Sequence, residues 1–174
     1  MRNNSNFHDS TSQIPLEKDK KINSISQTPV QNKSSLGFYY TNATSLVRKQ
    51  NLLLLELDRI NHPQLVCITE TWFKPDTVVR LPNYSLFSRN RLTRTGGGVA
   101  IYVRNDVKAS EICDPTFSSE DCEQVWCSIE VYKEKILVGC IYRPPDSNMV
   151  FNSAVNLSIT KANFLFEKKN LTDL

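Results

Sequence analysis

The chain lacks several things that would assign it quickly. No run approaches the roughly eighteen apolar residues that a membrane helix needs; the richest stretch, Leu52-Leu53-Leu54-Leu55, is flanked by Gln50, Asn51, Glu56 and Asp58. The N-terminus has neither a basic region nor an apolar segment behind it, so a secretory signal is not indicated and the expectation is a protein that stays inside the cell. No CxxC pair occurs among the five cysteines, and neither of the two histidines stands near Cys113, Cys122 or Cys127. A zinc site is therefore not expected, and Cys67, Cys127 and Cys140, which lie in apolar patterns, read as small buried hydrophobes. A net charge of +3 is too slight to argue for nucleic acid by itself.

What is present fits one domain of ordinary composition, 174 residues with 40% hydrophobic and 22% charged side chains. Met1 to Leu36 is rich in Asn, Ser, Gln, Thr and Lys, has Phe7 as its one aromatic residue and shows no period, so a disordered leader is expected over residues 1–36. His8 and Asp9 fall in it, their adjacency read as chance. Lys18, Lys20 and Lys21 are too sparse for an import signal, and sequons such as Asn42-Ala43-Thr44 mean little in an intracellular chain.

Order is expected from Gly37. Phe38-Tyr39-Tyr40-Thr41 reads as a short strand ending at Asn42, and a helix should follow at once, capped by Thr44 or Ser45, with Leu46, Leu53, Leu54, Leu57 and Ile60 as its apolar stripe. Its end is expected near Asn61-His62-Pro63. Leu65 to Thr69 is apolar enough for a strand buried on both faces, which completes a parallel βαβ unit. Antiparallel strands are then expected at Tyr84 to Ser88, Gly98 to Val103, Val125 to Val131 and Ile136 to Tyr142. Val125, Cys127, Ile129 and Val131 share one face. The acidic loop from Asp114 to Glu123 reads as mobile, and Val150 to Lys169 as a poorly patterned helix or an element awaiting a partner.

Three positions stand where strands give out. Glu70 follows a fully apolar strand, where a carboxylate could hold Mg²⁺ with most of its waters retained; the plain alternative is an exposed glutamate. Asn42 could bind a phosphate oxygen or a metal-bound water, or simply turn the chain into the helix. Tyr142 could donate to a phosphate, or serve as a core tyrosine at the sheet rim. Arg143 follows it as a candidate substrate contact, ahead of two prolines that halt strand pairing. Gly96-Gly97-Gly98 precedes a strand and lacks a Lys-Ser/Thr ending, so it reads as a turn rather than a phosphate loop.

Taken in order, Tyr40 to Leu46, Cys67 to Trp72, Leu81 to Tyr84, Ser88 to Arg91, Gly96 to Val103 and Gly139 to Pro145 resemble the endonuclease/exonuclease/phosphatase superfamily. Within it they resemble most the apurinic-endonuclease-like domain that opens the polyprotein of non-LTR retrotransposons. The resemblance runs from Phe38 to Asp146. It implies an α/β fold, a partial four-layer sandwich of which residues 37–174 are the first half. It also implies a Mg²⁺-dependent nuclease acting on DNA in the nucleus, with Asn42 in the site, Glu70 as metal ligand and Tyr142 contacting the scissile phosphate.

The family's Gly-Asp-Phe-Asn segment and late Asp-His pair do not occur, and Asn90 departs from the aspartate that retrotransposon relatives carry between two arginines. The expectation is thus a fragment without hydrolytic activity. Half a sandwich would leave strands such as Ile136 to Ile141 facing water, so the missing half or another chain would be needed for folding. The alternatives are a non-catalytic binding remnant of the same domain, or a phosphatase acting on a lipid or sugar.

Overall fold

The computed structural model describes residues 35–91, 95–119 and 122–172. The expected leader lies outside them except for Ser35 and Leu36, and Leu36 packs against the core between the two sheets.

Strand β1 (Phe38–Asn42) pairs in parallel with β2 (Leu65–Thr69), as the βαβ pattern requires. The connection differs from the single helix expected. Ser45 takes a left-handed φ of 77° and makes no side-chain cap, so the chain first forms a 3-10 turn at Leu46–Arg48 and only then helix α1 (Gln50–Arg59). Leu46, Leu53 and Leu57 are nevertheless the residues that bury. The helix stops before the proline because Asn61 and His62 both adopt positive φ.

Strands β3 (Tyr84–Arg89) and β4 (Val99–Arg104) complete a four-stranded sheet in the order β1-β2-β4-β3. Central β2 and the first five residues of β4 are buried throughout, which is why both read as continuous apolar runs. The second sheet orders β5 (Lys108–Glu111), β6 (Glu123–Val131) and β7 (Glu134–Tyr142) antiparallel. The sequence reading had no strand at β5, whose four residues Lys-Ala-Ser-Glu carry no apolar alternation to find. Tyr132 and Lys133 close the β6–β7 hairpin with φ of 52° and 69°, as two-residue turns matched to strand twist require.

The layers follow from the two faces of each sheet. On the outer face of the first, α1 and the segment through Phe73, Val79 and Leu81 cover Val66, Ile68, Ala100 and Tyr102. On its inner face Leu65, Cys67, Val99, Ile101 and Val103 meet Val125, Cys127, Ile129 and Cys140 of the second sheet. The second sheet's outer face carries helix α2 (Met149–Thr172). Helix, sheet, sheet, helix make a partial four-layer α/β sandwich.

The expectation that β7 would face water holds only in part: Cys140 is buried, Gly139 is exposed, and the other residues from Ile136 to Tyr142 are half-buried. Ile136, Val138 and Tyr142 pack against the inter-sheet core, because each sheet is already wide enough to cover part of the other. The tail takes the first of the two forms expected for it, a single helix, and that helix is docked. Asn148 caps it by accepting from Val150 N and Phe151 N, at 3.0 and 3.2 Å. Buried Ser158 donates to Thr116 O, and Lys161 pairs with Asp114 at 3.1 Å.

Beneath α2, Gln124 donates to the same Thr116 carbonyl and accepts from Trp126 Nε1, at 3.0 and 2.8 Å. Trp126 also stacks on Phe117, ring centroids 4.8 Å apart, and lies across Gly139, where a Cβ would meet its indole at 2.7 Å. The stretch expected to be mobile thus holds a 3-10 turn, Pro115–Phe117, with its aspartate as cap and buried Phe117.

Candidate active site

The parallel register sets Asn42 beside Thr69, so the polar residues that end β1 and β2 emerge on one rim. The chain beyond β2 is stitched to the turn beyond β1. Ala43 N, Ser45 N and Leu46 N donate in turn to the carbonyls of Thr69, Glu70 and Thr71, at 2.9, 2.9 and 3.0 Å. Glu70 and Trp72 both carry positive φ, 54° and 56°, a conformation that costs a non-glycine residue on the order of 1 kcal/mol. The glycine turn holds them there: Thr71 N donates to Gly98 O at 3.3 Å and Trp72 N to Gly97 O at 3.0 Å. Gly98 itself has φ +80°, and a Cβ there would meet Thr71 Oγ1 at 2.6 Å.

Tyr142 reaches the same rim from the second sheet and donates its phenolic hydrogen to Glu70 Oε1. That carboxylate, followed by partial burial, pushes the phenol up to about 12, with Arg91 opposing and Glu123 adding to the shift. Tyr142 faces Glu123 across the β6–β7 ladder. Glu123 in turn accepts from Arg91 Nε at 2.6 Å, from the same guanidinium through Nη2, and from Gly98 N. Side chains from just beyond β2, from β6 and β7, and from the connection between β3 and β4 therefore converge on one patch.

Of the four residues expected at a site, Glu70 and Tyr142 are brought into contact. Asn42 sits on the rim, with Oδ1 accepting from both N and Oγ1 of Thr44 at 3.2 Å, which is the turn role weighed for it. Arg143 is exposed and turns toward α2, its Nε 3.2 Å from Asn152 Oδ1. The sequence reading missed Glu123 as a site residue. An acid at the first position of an otherwise apolar alternating strand was the available signal.

Hard-oxygen donors fit a Mg²⁺ ion at Glu70, since that ion is usually held through one or two carboxylates, with water and substrate phosphate completing its shell. Glu70 and the oxygens that a phosphate would bring are of this type. Among the described residues no group of three or more His, Cys, Asp or Glu side chains forms a protein cage for a metal. When bound, such an ion would polarise a phosphoryl oxygen. Tyr142 fixes one oxygen of the Glu70 carboxylate, and Glu123 holds Arg91 at the rim.

Three buried polar atoms in this region have no hydrogen-bond partner: Thr71 Oγ1, Trp72 Nε1 and Asn90 Oδ1. Unsatisfied groups are uncommon in protein interiors and mark strain, water or ligand positions.

No family model matches the sequence, and no curated protein does. Among solved structures the chain is similar to D. rerio TDP2 complexed with a single-strand DNA product. The two are 15% identical, with 72% of this chain and 52% of that one covered and a TM-score of 0.48. It is also similar to the 3′ phosphatase NExo from Neisseria bound to a product DNA hairpin, 16% identical, covering 79% and 53%, TM-score 0.46. An AP endonuclease from Archaeoglobus fulgidus is 17% identical, covering 59% and 40%, TM-score 0.36. The chain thus spans about half the length of these proteins or less. The likeness to each is one of chain path at low identity.

Proposed function

We propose that this chain is the N-terminal part of a Mg²⁺-dependent DNA endonuclease domain, of the kind that opens a non-LTR retrotransposon polyprotein, and that it does not hydrolyse DNA by itself. The observation that carries the reading is the contact of Tyr142 with Glu70, which joins the two motif segments 72 positions apart at one rim. Arg91 and Glu123 beside them supply a cation and the group that orients it.

In this reading Glu70 holds the cation, Tyr142 positions that carboxylate, and Asn42 lies where the strand passes. The action is on nuclear DNA. Activation of water needs a further base. Among the described residues the histidine is His62, which faces Asp58 at 3.0 Å at the end of α1, whereas the rim lies at the C-terminal ends of β1 and β2.

Two measurements test this. Sequencing the transcript past the Leu174 codon should show a frame running into a Gly-Asp-Phe-Asn segment and a later Asp-His pair; a frame continuing without them would overturn the family reading. Purified chain with Mg²⁺ should leave supercoiled plasmid intact or nearly so. Nicking that disappears in Glu70→Ala would overturn the assignment of inactivity.

A further inference from the structure

Next to Glu70 lies a cleft of about 710 Å³, lined among others by Arg48, Trp72, Lys74, Asp76, Arg91 and Gly96. A volume of this order suits a nucleotide-sized ligand. Its walls combine an aromatic ring with cations. Arg48 and Lys74 are exposed, and Arg91 is held by Glu123; Asp76 is the one carboxylate among the lining residues, with Oδ1 3.1 Å from Thr77 Oγ1.

The two tryptophans of the chain are treated differently by the fold. Trp126 is buried, stacked on Phe117, and its indole N–H is satisfied by Gln124. Trp72 is half-buried, lines the cleft, and its indole N–H has no partner. A tryptophan kept for packing normally finds a partner for its N–H when that atom is buried. Trp72 is also held in a left-handed backbone conformation, fixed by its own N–H to the carbonyl of Gly97. Strain of this kind persists where the surroundings over-determine it, and it clusters at ligand-binding positions.

We propose that this cleft is a subsite for an unpaired nucleotide, with its base against the Trp72 indole and its backbone phosphate between Arg48 and Lys74. The inference rests on the nuclease reading, in that the nucleotide belongs to the strand whose phosphate lies at Glu70. Stacking on an aromatic face accepts any base, while the flanking cations track the phosphates. The subsite therefore selects frayed, nicked or single-stranded DNA over continuous duplex, without reading sequence.

The test uses the full chain in EDTA and a single-stranded oligothymidylate of about 12 nucleotides, within the length a stacking groove covers. Binding should quench the share of tryptophan emission that is absent from Trp72→Phe. Trp72→Leu should weaken affinity about tenfold. Lys74→Ala should leave the quenching in place but reduce the slope of log affinity against log salt by about 0.7. Circular dichroism of each variant identifies any that misfolds, and Lys74→Ala then carries the test.

Unchanged affinity in a folded Trp72→Leu variant would overturn the proposal. So would equal quenching by a blunt duplex of the same length, or an unchanged salt slope in Lys74→Ala. A transcript lacking the expected motifs, with quenching retained, would remove the nuclease reading and leave the cleft standing. Motifs present without a Trp72 effect would remove the subsite alone.

Discussion

The phenol of Tyr142, at the end of the second sheet's edge strand, donates a hydrogen bond to the carboxylate of Glu70, just past a central strand of the first. The site is built from this contact, and its chemistry can be read optically. Tyr142 is pushed up to about 12 chiefly by Glu70. In Glu70→Gln it should return toward the ordinary value near 10. Tyrosinate absorbance of each protein, minus that of its Tyr142→Phe counterpart, isolates this one phenol. The raised value means that the contact stabilises the fold fully below about pH 10, and that its contribution is lost as pH rises toward 12. Identical titrations with and without the carboxylate would mean that the contact does not form in solution.

Arg91 and Glu123 are only 12% and 15% exposed, so removing one partner leaves the other charge with little water. Arg91→Ala should cost about 2–4 kcal/mol, toward or just below the range for a fully buried pair. Urea unfolding measures it. A loss below about 0.5 kcal/mol would show the pair to behave as a solvated surface bridge.

Gly139 faces outward on β7 with Trp126 directly across it. Gly139→Ala forces the indole aside and should destabilise by about 1–3 kcal/mol, with loss of the near-ultraviolet signal of the Phe117–Trp126 pair. An alanine variant with the wild-type spectrum and midpoint would contradict that packing.

Asp114 is held below the ordinary carboxylate range by hydrogen bonds from Thr116, then by Lys161 on α2. A lowered value contributes stability that is complete above about pH 4 and is lost as pH falls through the folded value. Acid should therefore loosen α2 before the sheets unfold, and Asp114→Asn should remove that early step. Helix ellipticity followed alongside tryptophan emission between pH 5 and 2 would reveal the two phases. A single coincident transition in the wild type would rule them out.

How much of this was legible beforehand depended on how local the cause was. Strand β2 follows from five consecutive apolar or β-branched residues, and β6 from its clean alternation. The meeting of Glu70 and Tyr142 was readable from motif resemblance and from each lying where a strand ends. The bond between Arg91 and Glu123 was not, because it joins positions 32 apart and depends on where the glycine turn places Gly98 N. Helix α2 lacked a readable stripe because Ser158, a polar residue, is what its inner face seats against Thr116 O, while Leu157, Ile159 and Phe164 stay exposed. The split of α1 was hidden for a related reason: the backbone bonds of Ser45 and Leu46 to Glu70 and Thr71 are tertiary, and they override the helix start that composition suggests.

The two sheets are drawn from successive stretches of chain, β1 to β4 and then β5 to β7. On a ribosome the first sheet can therefore close while its partner is still unmade. Its inner face, through Leu65, Cys67, Val99, Ile101 and Val103, then waits for Val125, Cys127 and Ile129 to emerge. At ordinary rates of synthesis that interval is roughly 1–5 s, long compared with strand pairing and long enough for a chaperone, or a neighbouring nascent chain, to occupy the face first.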